Sequence, residues 1–202
     1  MAEESGWAKS ESNRKTNPGA FLRGFLREPS QVGSIIPSSR FLEQRIVEAA
    51  DLSAARRVVE LGPGTGGTTR TFLQHLGPDA RLLSIELSPH FHELLDEIDD
   101  PRFINCQGSA EHLADILAQH GMEKPDVVIS GIPFSKMPPA VATRVVQAVN
   151  GSLATGGRFV AYQFRRDVAG YTDPIMGAPV GCTLELRNIP PMRVYSWYRK
   201  PD

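Results

Sequence analysis

The chain has 202 residues, 41% of them hydrophobic and 22% charged, which fits one domain at roughly 150 residues per domain that buries about 70% of its unfolded surface. Its longest apolar run is Phe159-Val160-Ala161-Tyr162, far short of the about 20 residues a membrane-spanning helix needs. Lys+Arg 22 against Asp+Glu 23 gives a net charge of -1, which excludes a surface devoted wholly to nucleic acid or anionic lipid but permits a local basic patch.

Residues 1–16 are polar and acidic, with almost nothing to bury. They are expected to form a disordered tail and do not read as a secretory signal. The two cysteines, Cys106 and Cys182, are single and far apart, so neither a disulfide framework nor a metal-binding spacing follows from them. A reducing cytoplasm is the expected compartment. From residue 17, Phe21, Leu22, Phe25 and Leu26 recur at helical spacing with Arg23 and Arg27 on the other side, and Pro29 ends that helix. Ser38-Ser39 then caps a second helix over Arg40 to Ala50. The whole of 17–50 reads as an N-terminal helical segment ahead of a main domain over 51–202.

The middle of the chain alternates. Strands are predicted at 57–61, 81–86, 102–106, 126–130 and 157–162, with helices at 66–76, 89–98, 110–120 and 139–150. This alternation builds βαβ units on a parallel sheet with helices on both faces. The tail instead predicts an antiparallel hairpin of 182–188 and 193–199 across Ile189-Pro190-Pro191-Met192.

The most informative stretch is Glu60-Leu61-Gly62-Pro63-Gly64-Thr65-Gly66, between the first strand and its helix. Glycines there admit positive φ and close backbone approach, and the following helix presents free N–H groups. An acid beside such a loop repels phosphate and suits a cation. Glu60 therefore favours S-adenosyl-L-methionine (SAM), with its ammonium and sulfonium, over a dinucleotide. Glu86 closes the second strand, where an acid is placed to accept both ribose hydroxyls.

Glycine loop, Glu60 and Glu86 together resemble the class I SAM-dependent methyltransferases, over about residues 30–200. The resemblance implies a Rossmann-like, seven-stranded, mostly parallel sheet ending in an antiparallel hairpin. It also implies SAM as donor and S-adenosyl-L-homocysteine as product. In that family the segment after strand three carries an acid that holds the adenine amino group. Here it reads Gly108-Ser109-Ala110-Glu111, so Ser109 either bonds the adenine itself or only caps the helix, with Ala110 beside it.

Strand four ends in Ser130-Gly131-Ile132-Pro133-Phe134. Methyltransferases that attack nitrogen often carry Asn/Asp-Pro-Pro-Tyr/Phe at this place. By this resemblance Phe134 covers the reacting nitrogen, although Ser130 is a poorer amine acceptor than Asn or Asp. A plain turn with Phe134 in the core is the alternative.

A second resemblance narrows the substrate. Phe25-Leu26-Arg27-Glu28-Pro29-Ser30-Gln31-Val32-Gly33 and the following Pro37-Ser38-Ser39 are similar to the N-terminal signature of the bacterial phospholipid N-methyltransferases. Ser130 to Phe134 and Asn188-Ile189-Pro190-Pro191 are similar to theirs as well. The resemblance implies methyl transfer to an amine nitrogen of phosphatidylethanolamine or a related lipid. Phe25, Ser38, Ser39, Ile132 and Pro133 would then lie on the substrate side.

Arg14, Lys15, Arg23 and Arg27 lie beside the apolar face of 17–28 with no acid between Asn13 and Arg27. That segment suits peripheral contact with a membrane surface or a lid over the pocket. A small-molecule amine and ribosomal RNA adenine are the alternative substrates, the latter disfavoured by the missing Asn at Ser130. For the proton that an ammonium substrate must lose, Tyr162 at the end of strand five is the preferred base. His90 and His92 come second, and His112 is the remaining candidate.

Overall fold

A computed structural model describes residues 38–201. The expected tail over 1–16, the segment 17–28 and Phe25 lie outside the described residues.

Seven strands form one sheet in the order β3-β2-β1-β4-β5-β7-β6. They are β1 (Arg57–Leu61), β2 (Arg81–Glu86), β3 (Phe103–Gln107), β4 (Val127–Ser130), β5 (Arg158–Gln163), β6 (Gly181–Glu185) and β7 (Met192–Tyr198). The first five are parallel, whereas β7 runs antiparallel to both β5 and β6. The predicted doubly wound sheet and terminal hairpin are both present, with ends displaced by at most one residue in β3, β4, β5 and β7, while β6 stops three residues before the predicted 188.

Alternation along the strands sorts the core into two layers. Val59, Leu61, Leu83, Ile85, Val128 and Phe159 face α4 (Leu113–Gln119), α5 (Pro139–Ser152) and α6 (Asp167–Met176). Val58, Leu82, Val127, Ile129 and Val160 face α1 (Arg40–Ala50) and α2 (Gly67–His75). The remaining helix, α3 (Pro89–Leu95), lies between β2 and β3 in sequence and buries Leu95.

Three features differ from expectation. Helix α1 buries Leu42, Ile46, Val47 and Ala50 in the second layer, so the core starts near residue 40 rather than 51. The helix α6 carries Gly170 and Pro174 in its span, residues that hide a helix from propensity reasoning. It forms because Val168, Thr172 and Met176 are buried on its inner side. The predicted helix over 110–120 also begins as a 3-10 turn, Ala110–His112, before α4.

Candidate active site

The sheet order places β1 between β2 and β4, at the point where the winding reverses. Open α/β sheets bind ligands at that point, beyond the carboxyl ends of the strands. Three loops meet there and are tied by backbone bonds. The Gly62 N–H donates to the Ile85 carbonyl at 3.0 Å, Gly131 to Leu61 at 2.9 Å, and Gly108 to Glu86 at 2.9 Å.

In the first loop Gly62, Gly64 and Gly66 have φ of 71°, 59° and 78°, conformations that other residues adopt only with strain. A side chain at Gly66 would also strike Leu95 Cδ2 at 2.8 Å. Gly64 borders open space, because a Cβ there meets nothing within 4 Å. Thr65 is exposed at the crest of the loop, and Gly66 is the N-cap of α2.

The Glu86 carboxylate reaches into this cradle. One oxygen accepts the Gly64 N–H at 3.1 Å and the other the Ser88 N–H at 2.8 Å. Burial pushes its pKa above the ordinary carboxylate value, while these N–H groups and nearby His92 pull the other way. An acid at the strand tip, a positive-φ glycine loop and open space beside Gly64 fit an adenosine-bearing cation such as SAM. The donor set is therefore consistent with the ligand expected from sequence.

Glu60 is placed differently from expectation. It is 0% exposed, and its oxygens accept hydroxyls from Thr68 (2.8 Å), Thr69 (2.7 Å) and Ser84 (2.8 Å). Burial raises its pKa, opposed by those three hydroxyls. Direct contact with a cationic ligand is thus corrected to an indirect role. Glu60 faces the α2 layer because β1 alternates, and it anchors the first turn of α2, where negative charge also opposes the positive end of the helix dipole. Ser84, a hydroxyl inside an otherwise apolar β2, was the sequence signal for this cluster.

The two residues proposed as catalytic are also relocated. Phe134 is 0% exposed, in the 3-10 turn Phe134–Lys136. Its ring packs in the core, with its centroid 6.3 Å from that of Tyr171 on α6. The bland alternative, a core aromatic under the turn, is the one seen.

The Tyr162 phenol is buried beside Gly131. Burial first, and the Glu60 charge second, push its pKa far above the usual phenol range. A neutral phenol held from ionising is a poor base, which argues against the expected role of Tyr162. His90 and His112 are exposed, and His92 is partly buried with Nδ1 4.0 Å from Asp96.

Sequence reasoning missed Gln163, the buried last residue of β5. Its amide donates to the Ile132 carbonyl at 2.8 Å, and its carbonyl accepts the Phe134 N–H at 3.3 Å. It thereby grips the post-β4 turn from both sides of Pro133. A lone carboxamide ending an apolar strand was the only signal. Ser130 is buried, with its hydroxyl accepting the Ile132 N–H at 3.3 Å, while Ile132 and Pro133 are partly exposed at the mouth. The Ser109 hydroxyl accepts the Glu111 N–H at 3.4 Å, the capping geometry, with Ala110 buried behind it. Ser39 caps α1 through Leu42 at 3.2 Å, and its own N–H donates to Asn188 at 2.8 Å. Ser38, partly exposed, precedes it.

No protein-family model matches the chain. An ornithine lipid N-methyltransferase of Singulisphaera acidiphila is 31% identical over 186 residues, 87% of this chain and 92% of that protein. The chain belongs to the bacterial lipid N-methyltransferases. It is a class I SAM-dependent methyltransferase, with SAM as donor and S-adenosyl-L-homocysteine as product.

The ribosomal RNA small subunit methyltransferase H of Shewanella denitrificans matches this methyltransferase more narrowly, at 42% over 60 residues, 29% of this chain and 19% of that protein. Among solved structures, the N-methyltransferase NodS of Bradyrhizobium japonicum in complex with S-adenosyl-L-homocysteine has a TM-score of 0.66 at 13% identity, covering 90% of this chain and 99% of that one. The O-methyltransferase TomG of Streptomyces achromogenes, in complex with SAM, has a TM-score of 0.65 at 16% identity, covering 90% of each chain. At these identities the likeness is one of fold.

Proposed function

We propose that the enzyme methylates the amine of a membrane lipid headgroup, with an ornithine lipid or phosphatidylethanolamine as the substrate class. The observation that carries this reading is the 31% identity to an ornithine lipid N-methyltransferase along 92% of that protein's length. The sequence over 17–28, basic and apolar at helical spacing, supports a lipid-facing role, as lid or as peripheral anchor at the cytoplasmic face.

In this reading Gly62, Gly64, Thr65 and Gly66 cradle the donor, Glu86 accepts its ribose hydroxyls, and Ser109 and Ala110 border its base. Glu60 supports the cradle from beneath. Ser130, Ile132 and Pro133, held by Gln163, shape the wall against which the amine is aligned. SAM supplies a methyl group already activated by its sulfonium. The protein's share is therefore mainly alignment of the amine with that methyl, worth about 7–11 kcal/mol at best.

Incubation with methyl-labelled SAM tests the reading, with ornithine lipid, phosphatidylethanolamine and a panel of soluble amines as acceptors. Label is expected in a lipid fraction. Label confined to soluble amines, or absent throughout, would overturn the lipid assignment.

A further inference from the structure

The strand ends that carry the glycine loop and Glu86 continue along the sheet to an edge of different character. Strand β5 is parallel to β4 and β1, so Gln163 ends on the same side as Gly62. Strand β7 begins there, with Arg193 paired to Gln163, and β6 finishes there, with Glu185 paired to Met192. Just beyond these pairs stand three apolar side chains in water. Phe164 is 58% exposed, Leu186 70% and Ile189 79%. Isolated exposed apolar residues need no explanation, but here three stand at the same end of the β5-β7-β6 edge, on the ligand side.

The charges around them are predominantly positive. Residues 163–167 and 185–193 hold four arginines against two carboxylates. Asp167 is matched by Arg165 at 3.0 Å. Glu185 is buried and shared between Arg187 and Arg45. That leaves an excess of positive charge, with Arg166 exposed and Arg193 half-buried among the apolar tips. The Arg187 guanidinium is held 3.9 Å above the Phe41 ring, which fixes it beside Leu186. Apolar tips ringed by arginine match the boundary between acyl chains and anionic headgroups, where each basic residue adds about 1 kcal/mol.

We propose that this edge, formed by Phe164, Leu186 and Ile189 with Arg166, Arg187 and Arg193, docks on an anionic bilayer and sets the mouth of the site at the headgroup plane. The inference extends the lipid-substrate reading and explains how an amine on a membrane-embedded molecule reaches the post-β4 turn. The docking surface is formed by residues of the folded domain.

Vesicle sedimentation of the full chain tests it, using phosphatidylcholine alone or mixed with phosphatidylglycerol. The wild-type chain is expected to bind the mixed vesicles. L186S/I189S should weaken that binding about tenfold or more, and R166Q/R193Q should remove most of its salt dependence. Both variants should keep wild-type SAM affinity by calorimetry, showing an intact fold. Binding of L186S/I189S equal to wild type overturns the proposal, as does failure of the wild-type chain to bind anionic vesicles. A change of oligomeric state on L186S/I189S with vesicle binding unaltered assigns the patch to a second copy instead. Methyl transfer to lipid in detergent micelles separates the two ideas. Absence of transfer there refutes the lipid substrate, whereas the sedimentation result stands alone as the measure of docking.

Discussion

The Gln163 carboxamide holds the Ile132 carbonyl at 2.8 Å while receiving the Phe134 N–H at 3.3 Å. One side chain from the end of β5 thus fixes the turn after β4. Gln163→Ala leaves both backbone groups without their buried partner, at a cost of about 1–3 kcal/mol. Chemical denaturation should read that loss. Because the turn forms the proposed acceptor wall, kcat/KM for the amine should fall more than SAM affinity does. Equal losses in both would deny the turn a positioning role.

Glu86 joins the first two loops through Gly64 and Ser88. If it also accepts the ribose hydroxyls, Glu86→Gln should weaken SAM binding by about 1–3 kcal/mol. The sign of the pH dependence follows from its raised pKa. The ionised form is the acceptor, so affinity falls as acidification carries pH down through that raised value, which begins above the ordinary carboxylate range. Calorimetry across pH should show this decline in the wild type and a flatter profile in the variant.

Tyr162 and Gly131 are in steric register. A Cβ on Gly131 would stand 2.8 Å from Tyr162 Cζ and nearer still to its hydroxyl. Gly131→Ala should therefore lower the melting temperature, and adding Tyr162→Phe should recover part of the loss, a coupling expected only of residues in contact. Tyr162→Phe alone should keep the rate well within the about 10²-fold or greater fall that follows removal of a general base. Steady-state kinetics decide between a wedge and a base.

Glu185 is held at a pKa of about 2, first by its side-chain bonds to Arg187 and with help from Arg45. Its folded pKa lies below the unfolded value of 4.5. The stability it contributes is thus complete above the unfolded value and is lost as pH falls from there toward about 2. Thermal melts of Glu185→Gln should lack that part of the acid slope and converge with wild type at the acid end of the window.

Local pattern made most of the frame readable. β1, β2 and α1 have the spans their apolar spacing implies, because each is continuous in sequence and needs no distant partner to define it. The glycine loop and Glu86 were legible for the same reason, being set by two neighbouring strand ends. What escaped depended on contacts remote in sequence. Gln163 meets its partners 31 and 29 residues away, and no local signal encodes that. Glu60 was read as facing the ligand because a strand's two faces look alike until the layers on each side are known. Phe134 and Tyr162 sit at positions that are correct along the chain, yet their side chains point into the core. Helix α6 was invisible because its formation rests on burial of Val168 and Met176 rather than on propensity.

The strand order has a consequence for synthesis. Strand β7 separates β5 from β6, so neither has that neighbour until residues 192–198 are made. Until then β5 presents a bare edge, and Phe159 lacks the indole of Trp197 that stacks on it at 5.4 Å. A nascent chain can settle its donor-binding half early, since domains organise as the polypeptide emerges. The acceptor-side edge waits for residues 192–198, and a chain cut before residue 192 would carry the glycine loop without a finished sheet.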